Sequence, residues 1–560
     1  VRIGLLTEGG YPYVGGDTGL WCDRLVRGLG QHEFDVYALR RGRQQEDDGW
    51  VPLPPQVRRV RTAPLWTEGG DGAALGRRAR KRFAEHYGEL LGAVCAPAGP
   101  APEDPCAEVA DRFGNALYNL AELARETGAL TGALRSDHAV SALERACRAP
   151  GAPRTAREAR VPDLLAVTDH LARALLPLSL DWYGEDALAA VDLCHATSGG
   201  SAALPGLLAR HFAGVPLLVT EYGVQLRAHY LALGPDSAAP AVRALLAAFH
   251  GRLAAEVYRR AEILTPGSTH ARRWQERCGA DRARIRTVHP GMDADRFAEV
   301  GEAPDRADAD TLVWVGRIEP ARDLVSLLHA FTEVRKEEPH ARLRIVGVPV
   351  GADGEAYLAQ CRALAAQLFP DEAEGLHAVG DNPVSFTEVG APEAPTLPDA
   401  YAAGAVVVLS SVVEGFPVSL AEAMFCGRAT VSTDVGAVVE VIGGTGLVVP
   451  PRNPRALAEA CVALLRDPER RARLGAAARA RALELFGVEQ NIAAFHGIYL
   501  EIMSHCPVRR VAVDETGGPL PFAVPAEAHV PGGWTVPAAR TLLRGRGSPA
   551  PVRASAEGAR

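Results

Sequence analysis

Short apolar runs alternate with longer stretches of helical spacing in two parts of the chain, and that rhythm predicts the elements. Val1–Glu8 reads as a strand and Gly9–Gly19 as a glycine-rich turn. Leu20, Trp21, Leu25, Val26 and Leu29 then fall on one helical face before a second strand at Asp35–Leu39. From about residue 41 to 162 the rhythm changes. Trp50–Pro64 is rich in proline, Ala73–Val94 and Cys106–Thr127 read as helices, and Ala96–Pro105 and Ala149–Thr155 as loops. This stretch is expected to be a largely helical insertion. Strands resume at Ala189–His195, Pro216–Glu221 and Ala261–Thr265, with Arg284–His289 as the last of the series. After a linker containing Pro304, a second series reads Thr311–Val315, Leu343–Val346, Leu376–Val379, Val406–Ser410, Ala429–Ser432 and Leu447–Val449.

Strands alternating with helices imply parallel sheets made of right-handed βαβ units. The expected fold class is therefore α/β, with two Rossmann-like domains facing across a cleft. The first spans residues 1–300, with its helical insertion at about 41–162, and the second spans 301–485. A C-terminal helix is expected at 486–505. Residues 506–560, rich in Pro, Gly, Ala and Arg, are expected to be disordered.

The bulk properties narrow the functional class. A net charge of −8 at pH 7 and a pI near 6.1 argue against a nucleic-acid partner. Apolar runs such as Ala405–Leu409 fall far short of the roughly 20 residues that span a bilayer, so no membrane anchor is expected. Val1–Glu8 runs directly into a strand and lacks the order of a secretory signal. The ten cysteines form no C-x-x-C pair, and a reducing cytoplasm fits them best. Lysine occurs only at positions 81 and 336. Cationic sites are therefore arginines almost by default, and an arginine by itself carries little meaning.

Against this background one stretch stands out. Glu414-Gly-Phe-Pro-Val-Ser-Leu-Ala-Glu422 sets two carboxylates with seven residues between them, following an apolar β-branched run and leading into a helical pattern. That context places Glu414 in a turn at the carboxyl end of a strand, the edge at which open α/β sheets bind ligands. Glu422 falls about one turn into the helix. Between them Gly415, Phe416, Pro417, Val418, Ser419 and Leu420 bring a helix N-terminus whose N–H groups suit a phosphate. Arg317, after Val313-Trp-Val-Gly316, and Arg322 follow the first strand of the second series. Two guanidinium groups there could hold a diphosphate or serve in surface ion pairs. In the first series, Gly15 and Gly16 allow close backbone approach to a ligand or simply a tight turn. His195 and Glu221 end strands and point to the same ligand edge; His195 could equally be a satisfied structural residue. Tyr222 and Arg227 follow. Asp434-Val-Gly436 with Glu440 looks able to bend the chain under the ligand, and Asp293 and Phe297 mark an architectural turn. The chain has no His-Glu-x-x-His, EF-hand, Walker A, Gly-x-Ser-x-Gly or dinucleotide fingerprint, so no metal site or cofactor is expected.

Taken together, Val315-Gly-Arg317 with a cation at 322, Val288-His-Pro-Gly-Met-Asp…Arg-Phe297, Glu414/Glu422 and Thr433-Asp-Val-Gly436…Glu440 resemble the GT-B glycosyltransferases of family 4, a retaining, metal-independent group. A narrower likeness is to the PelF-type branch, a cytosolic glycosyltransferase of Pel exopolysaccharide synthesis with a DUF3492-type N-terminal domain. It is carried by Thr7-Glu-Gly-Gly-Tyr-Pro-Tyr-Val-Gly-Gly16, Cys194-His-Ala-Thr-Ser-Gly-Gly200 and Leu218-Val-Thr-Glu-Tyr-Gly-Val224. The resemblance implies a nucleotide-sugar donor (UDP-glucose or similar), a saccharide acceptor and a membrane polysaccharide-export partner. It implies that Arg317 and Arg322 hold the diphosphate, Glu422 the ribose hydroxyls, and Glu414 the donor sugar. His195 would contact the sugar from the first domain. Two positions depart from the relatives: Arg322, where lysine is usual, and Tyr222, where the PelF-like branch has histidine. These departures leave a non-catalytic nucleotide-sugar-binding subunit as the competing expectation.

Overall fold

The computed structural model describes residues 1–508 apart from 14–16, 44, 46–48, 67–74, 97–104, 233–237, 303–307 and 372–381. The chain divides into two compact units. The first takes Val1–Thr265, Gln275–Arg286 and the chain from Ala493 on; the second takes Pro266–Trp274 and Thr287–Ile492.

The first unit is built on β1 (Arg2–Glu8), β2 (Glu33–Arg40), β3 (Val57–Pro64), β4 (Leu193–Ala196), β5 (Leu217–Glu221) and β6 (Ile263–Pro266), in the order β3-β2-β1-β4-β5-β6. The second is built on β7 (Asp308–Val315), β8 (Arg342–Val346), β9 (Val384–Thr387), β10 (Gly404–Leu409), β11 (Ala429–Thr433) and β12 (Leu447–Val449), in the order β12-β11-β10-β7-β8-β9. Both sheets are parallel. In each, the chain moves outward from two central neighbours, β1/β4 and β7/β10. Their carboxyl ends are the topological switch points where such sheets hold ligands. The central strands are buried on both faces, as in Gly404-Ala-Val-Val-Val-Leu409, and read as apolar runs for that reason.

Three strand expectations change. Val57–Pro64, expected inside the helical insertion, is β3, an edge strand paired in parallel with β2. Its arginines keep it half exposed, which hid it among sequences chosen by apolar runs. Arg284–His289 is not a strand. It follows β6 with one bridge, Leu264 to Ile285, and no regular ladder. The outer strand of the second sheet is Val384–Thr387; the expected strand at Leu376–Val379 lies outside the described residues. Of the tail expected to be disordered, 509–560 lies outside them too, while Val508 is buried in the core of the first unit.

Between β3 and β4 the first unit inserts helices at Arg77–Val94, Pro105–Thr127, Asp137–Arg148 and Val161–Ala174. They share one hydrophobic core with the Pro240–Arg260 helix, where Phe83 stacks on Tyr87 and Phe113 meets Phe249. Glu256 ties this layer together. It is 2% exposed, yet it accepts from Tyr118 Oη at 2.8 Å, Arg260 Nε at 2.9 Å and Arg259 Nε at 3.0 Å. Gly114 leaves room for its carboxylate, which a Cβ there would approach to 3.0 Å. A buried charge is tolerated only with partners of this kind. Glu256→Ala removes the acceptor of a buried phenol and of two guanidinium groups. It should cost about 1–3 kcal/mol of stability, read as a lowered urea midpoint; an unchanged midpoint would show that the node carries no stability.

Candidate active site

The two central strands of the second sheet deliver the charged groups. β7 ends at Val315 and passes through Gly316 to Arg317, then to a short turn at Pro320–Arg322. β10 ends at Leu409 and passes through Ser410 and Ser411 to Glu414. Hydrogen bonds tie these outgoing segments to each other. Val412 N–H donates to Ala321 O at 2.9 Å, and Ser410 Oγ donates to Arg322 O at 2.8 Å. Asp323, at φ +48°, then turns the chain into the Leu324–Glu337 helix and caps it by accepting from Ser326 N–H at 3.2 Å.

The side chains follow from that frame. Glu414 is 6% exposed and pairs directly with Arg322, whose Nε also lies 3.0 Å from Glu319 Oε1. Ser411 Oγ donates to Glu414 Oε1 at 2.9 Å, and Thr433 Oγ1 donates to Ser411 O at 2.6 Å. Arg317 is exposed and makes no side-chain hydrogen bond or ion pair among the described residues. One cation at this edge is thus engaged with a carboxylate and the other points to solvent. Ser411 is a part of the site that the sequence motifs did not mark, although Ser410-Ser411 sits at the strand end where such groups belong, and Thr433 was marked only as the start of the Asp-Val-Gly segment.

Glu422 lies on the next element, the Val418–Phe425 helix, and is half buried. Leu420 and Ala421 N–H both donate to Pro417 O at 3.2 Å, whereas Val418 and Ser419 begin the helix and have no acceptor within it. Gly415 O accepts from Ala437 N–H at 3.0 Å. Phe416 is half buried and packs its ring on Phe486 and His289. Gly436 explains the Asp-Val-Gly turn: its φ is +59°, and a Cβ would come within 2.5 Å of Glu414 O. Asp434 is exposed; Glu440 accepts from Thr269 N–H at 2.7 Å. Phe297 is buried on Phe425 and Tyr401, in keeping with an architectural turn.

The first unit gives a different answer. Gly15 and Gly16 lie outside the described residues. His195, expected to reach a sugar from the ligand edge, is fully buried inside β4. Its Nδ1 lies 2.8 Å from Tyr499 Oη and its Nε2 2.7 Å from Thr220 Oγ1, which in turn lies 2.6 Å from Thr265 Oγ1. Trp21 and Phe495 pack against the ring. The imidazole is a satisfied core group here, and burial lowers its pKa to about 3. Glu221 is equally buried. It accepts from Gly199 N–H at 3.0 Å, Gln225 N–H at 3.3 Å, Tyr258 Oη at 2.5 Å and Gln275 Nε2 at 3.0 Å. It therefore holds the Ser198-Gly-Gly200 loop in place from below. Tyr222 is half buried beside Trp21, at 5.0 Å between rings. Among the described residues no three His, Cys, Asp or Glu side chains converge to hold a metal ion, and no helix is long and apolar enough to cross a membrane.

Residues 1–283, just over half of the chain, match the domain of unknown function DUF3492, and residues 309–467 match the glycosyl transferases group 1. A D-inositol 3-phosphate glycosyltransferase of Thermobispora bispora is 30% identical over 307 residues, covering 53% of this chain and 68% of that protein. This chain belongs to the GT-B glycosyltransferases, with a DUF3492 domain in its first half. A similar D-inositol 3-phosphate glycosyltransferase, of Kineococcus radiotolerans, is 34% identical over 221 residues, covering 36% of this chain and 49% of that one. The chain thus spans about half the length of several curated relatives that it matches. The fold is shared with sucrose-phosphate synthase from Thermosynechococcus elongatus (TM-score 0.54, 18% identity, 90% of this chain and 99% of that one). It is also shared with Anabaena HepE in complex with UDP (TM-score 0.52, 14% identity, 89% and 100%).

In this glycosyltransferase the buried His195 and the turn at Gly436 give separate predictions. The unfolded chain protonates His195 near pH 6.5, but the folded chain does so only near pH 3. Below pH 6.5 the unfolded state therefore binds the extra proton, and stability falls as pH drops toward 3, by up to about 1.4 kcal/mol per pH unit from this group. His32 and His250, lowered to about 4 and about 3, act in the same direction. Urea midpoints between pH 7 and 4 should fall less steeply in His195→Gln than in the parent; equal slopes would remove His195 as a source. Gly436→Ala should strain the turn beneath Glu414 and cost about 1–3 kcal/mol of stability, read as a lowered urea midpoint. A parent-like midpoint would show that the turn accommodates a Cβ.

Proposed function

We propose that the chain transfers a sugar, with retention, from a nucleoside diphosphate sugar, UDP-glucose or a similar donor, to a saccharide acceptor. The observation that carries this reading is the meeting of Arg322, Glu414 and Ser411 at the β7/β10 switch point, with exposed Arg317 after β7 and the helix bearing Glu422 leading away from it. In this reading the diphosphate lies against the start of the Val418–Phe425 helix and is held by the two arginines. The charge that builds on it as the glycosidic bond breaks is met by preset cations. Arginine at 322 makes a fork that serves Glu414 and one phosphate together, where lysine would offer a single point charge. Glu414, oriented by Arg322 and Ser411, lies beside the donor sugar and stabilises the positive charge developing on its ring. Glu422 accepts the ribose hydroxyls. The acceptor hydroxyl attacks from the face that the diphosphate leaves and passes its proton to the departing phosphate oxygen, so that a sugar–oxygen bond to the diphosphate breaks as one to the acceptor forms. The cationic role of the arginines makes added metal unnecessary.

Anabaena HepE, which shares the fold, is seen in complex with UDP, and this supports the choice of base. A second HepE structure, in complex with UDP-glucose and matched at a TM-score of 0.50, supports the sugar. The narrower reading is a PelF-like protein with a DUF3492 domain, acting in exopolysaccharide synthesis in the cytoplasm beside a membrane export partner; it rests on the Thr7–Gly16, Cys194–Gly200 and Leu218–Val224 segments. Burial of His195 leaves the acceptor side to other groups.

Purified protein should bind UDP and slowly hydrolyse UDP-glucose in the presence of EDTA. Arg317→Ala combined with Glu422→Ala should reduce donor turnover at least a hundredfold. Full turnover in that double variant would sink the assignment, and tight UDP binding without turnover on any acceptor would favour a non-catalytic nucleotide-sugar-binding subunit.

A further inference from the structure

Glu422 has a buried partner that no motif pointed to. Tyr401, on the short helix Leu397–Ala402, donates its phenol to Glu422 Oε2 at 2.7 Å. Tyr401 is fully buried, lies edge-on to Phe297, and belongs to the core cluster that also holds Leu420, Ala421 and Met424. Burial first, and the Glu422 carboxylate second, raise its pKa well above the ordinary phenol value. It is therefore a proton donor at any physiological pH, held by a core that fixes its ring. Glu422, by contrast, is only half buried, on a side chain with three rotatable bonds. A carboxylate that must accept two neighbouring hydroxyls needs its plane set in advance, or it loses affinity in being ordered.

We propose that Tyr401 is a positioning residue. It holds one oxygen of Glu422 so that the carboxylate is preset for the vicinal hydroxyls of the donor ribose, and it thereby sets the preference for ribonucleotide over deoxyribonucleotide donors. Tyr401 has no exposed surface, so it acts only through Glu422. The inference rests on the reading of Glu422 as the ribose clamp.

The test uses the whole chain, with UDP and 2′-deoxy-UDP as calorimetric probes and UDP-glucose hydrolysis for kinetics. Tyr401→Phe keeps the ring and removes the donor. It should weaken UDP about fivefold, the effect of one hydrogen bond, and raise KM with kcat nearly unchanged. It should weaken 2′-deoxy-UDP less, and it should add nothing to Glu422→Ala. Tyr401→Met, which also removes the donor and fills the core with a flexible side chain, should reproduce the loss even if Tyr401→Phe folds poorly. Equal losses for the two nucleotides, a fall in kcat at constant KM, additive losses in the double variant, or parent-like binding by a folded Tyr401→Phe or Tyr401→Met would overturn the proposal. If Glu422→Ala alone binds UDP like the parent, the ribose-clamp reading fails and takes the proposal with it. If Glu422→Ala binds weakly and Tyr401→Phe does not, only the positioning role falls.

Discussion

In a parallel sheet, two neighbouring strands whose onward connections leave in opposite directions open a crevice at their carboxyl ends. β7 and β10 are that pair in the second unit, and the candidate chemistry depends on their adjacency. The outgoing segments are bound to each other through Val412 and Ala321 and through Ser410 and Arg322 before any side-chain charge is considered. The Arg322–Glu414 pair then forms on a backbone already in place. Its geometry is supported by Ser411, by Thr433 behind Ser411, and by the tight approach of Gly436 to the Glu414 carbonyl. A buried carboxylate is expensive without such partners. Here the same contacts that make it tolerable also direct it.

The first unit uses polar groups differently. At the carboxyl ends of β4 and β5 the histidine and glutamate turn inward. Thr220 and Tyr499 satisfy His195, with Thr265 bonded to Thr220 in turn, while Gly199, Gln225, Tyr258 and Gln275 satisfy Glu221. Glu221 in this way anchors the Ser198-Gly-Gly200 loop through Gly199. Glu256 does a related task between the inserted helices and the Pro240–Arg260 helix. A ligand-facing role and a loop-supporting role both favour a polar residue at a strand end, which is why spacing could not separate them.

Central strands were legible because burial on both faces makes them continuous apolar runs, as in Gly404–Leu409. Edge strands were not. β3 carries arginines because one side of it meets water, and its register comes from β2. The helical insertion was visible as a change of rhythm, but its first part contained that strand. In the site, the strand-turn-helix context placed Glu414, Glu422 and Arg317 correctly on their elements, since each depends on a short run of neighbours. The role of Thr433 and that of Tyr401 were missed because each acts through a partner on another element, whereas Ser411 lies three residues before Glu414 and was missed because a lone serine in a turn carries no pattern.

By itself the sequence determined the α/β class, two series of parallel strands, and a carboxylate pair on a turn and its following helix. All of these follow from local periodicity and from residue types within a few positions. Only the tertiary structure decided which charges are spent and which are open. Arg322 is committed to Glu414 while Arg317 faces solvent, and Glu422 is held from below by a phenol. It also decided that His195 is core and not edge. The physical reason is that burial and pairing are set by strand order, which brings residues about ninety positions apart into contact and which no local pattern encodes.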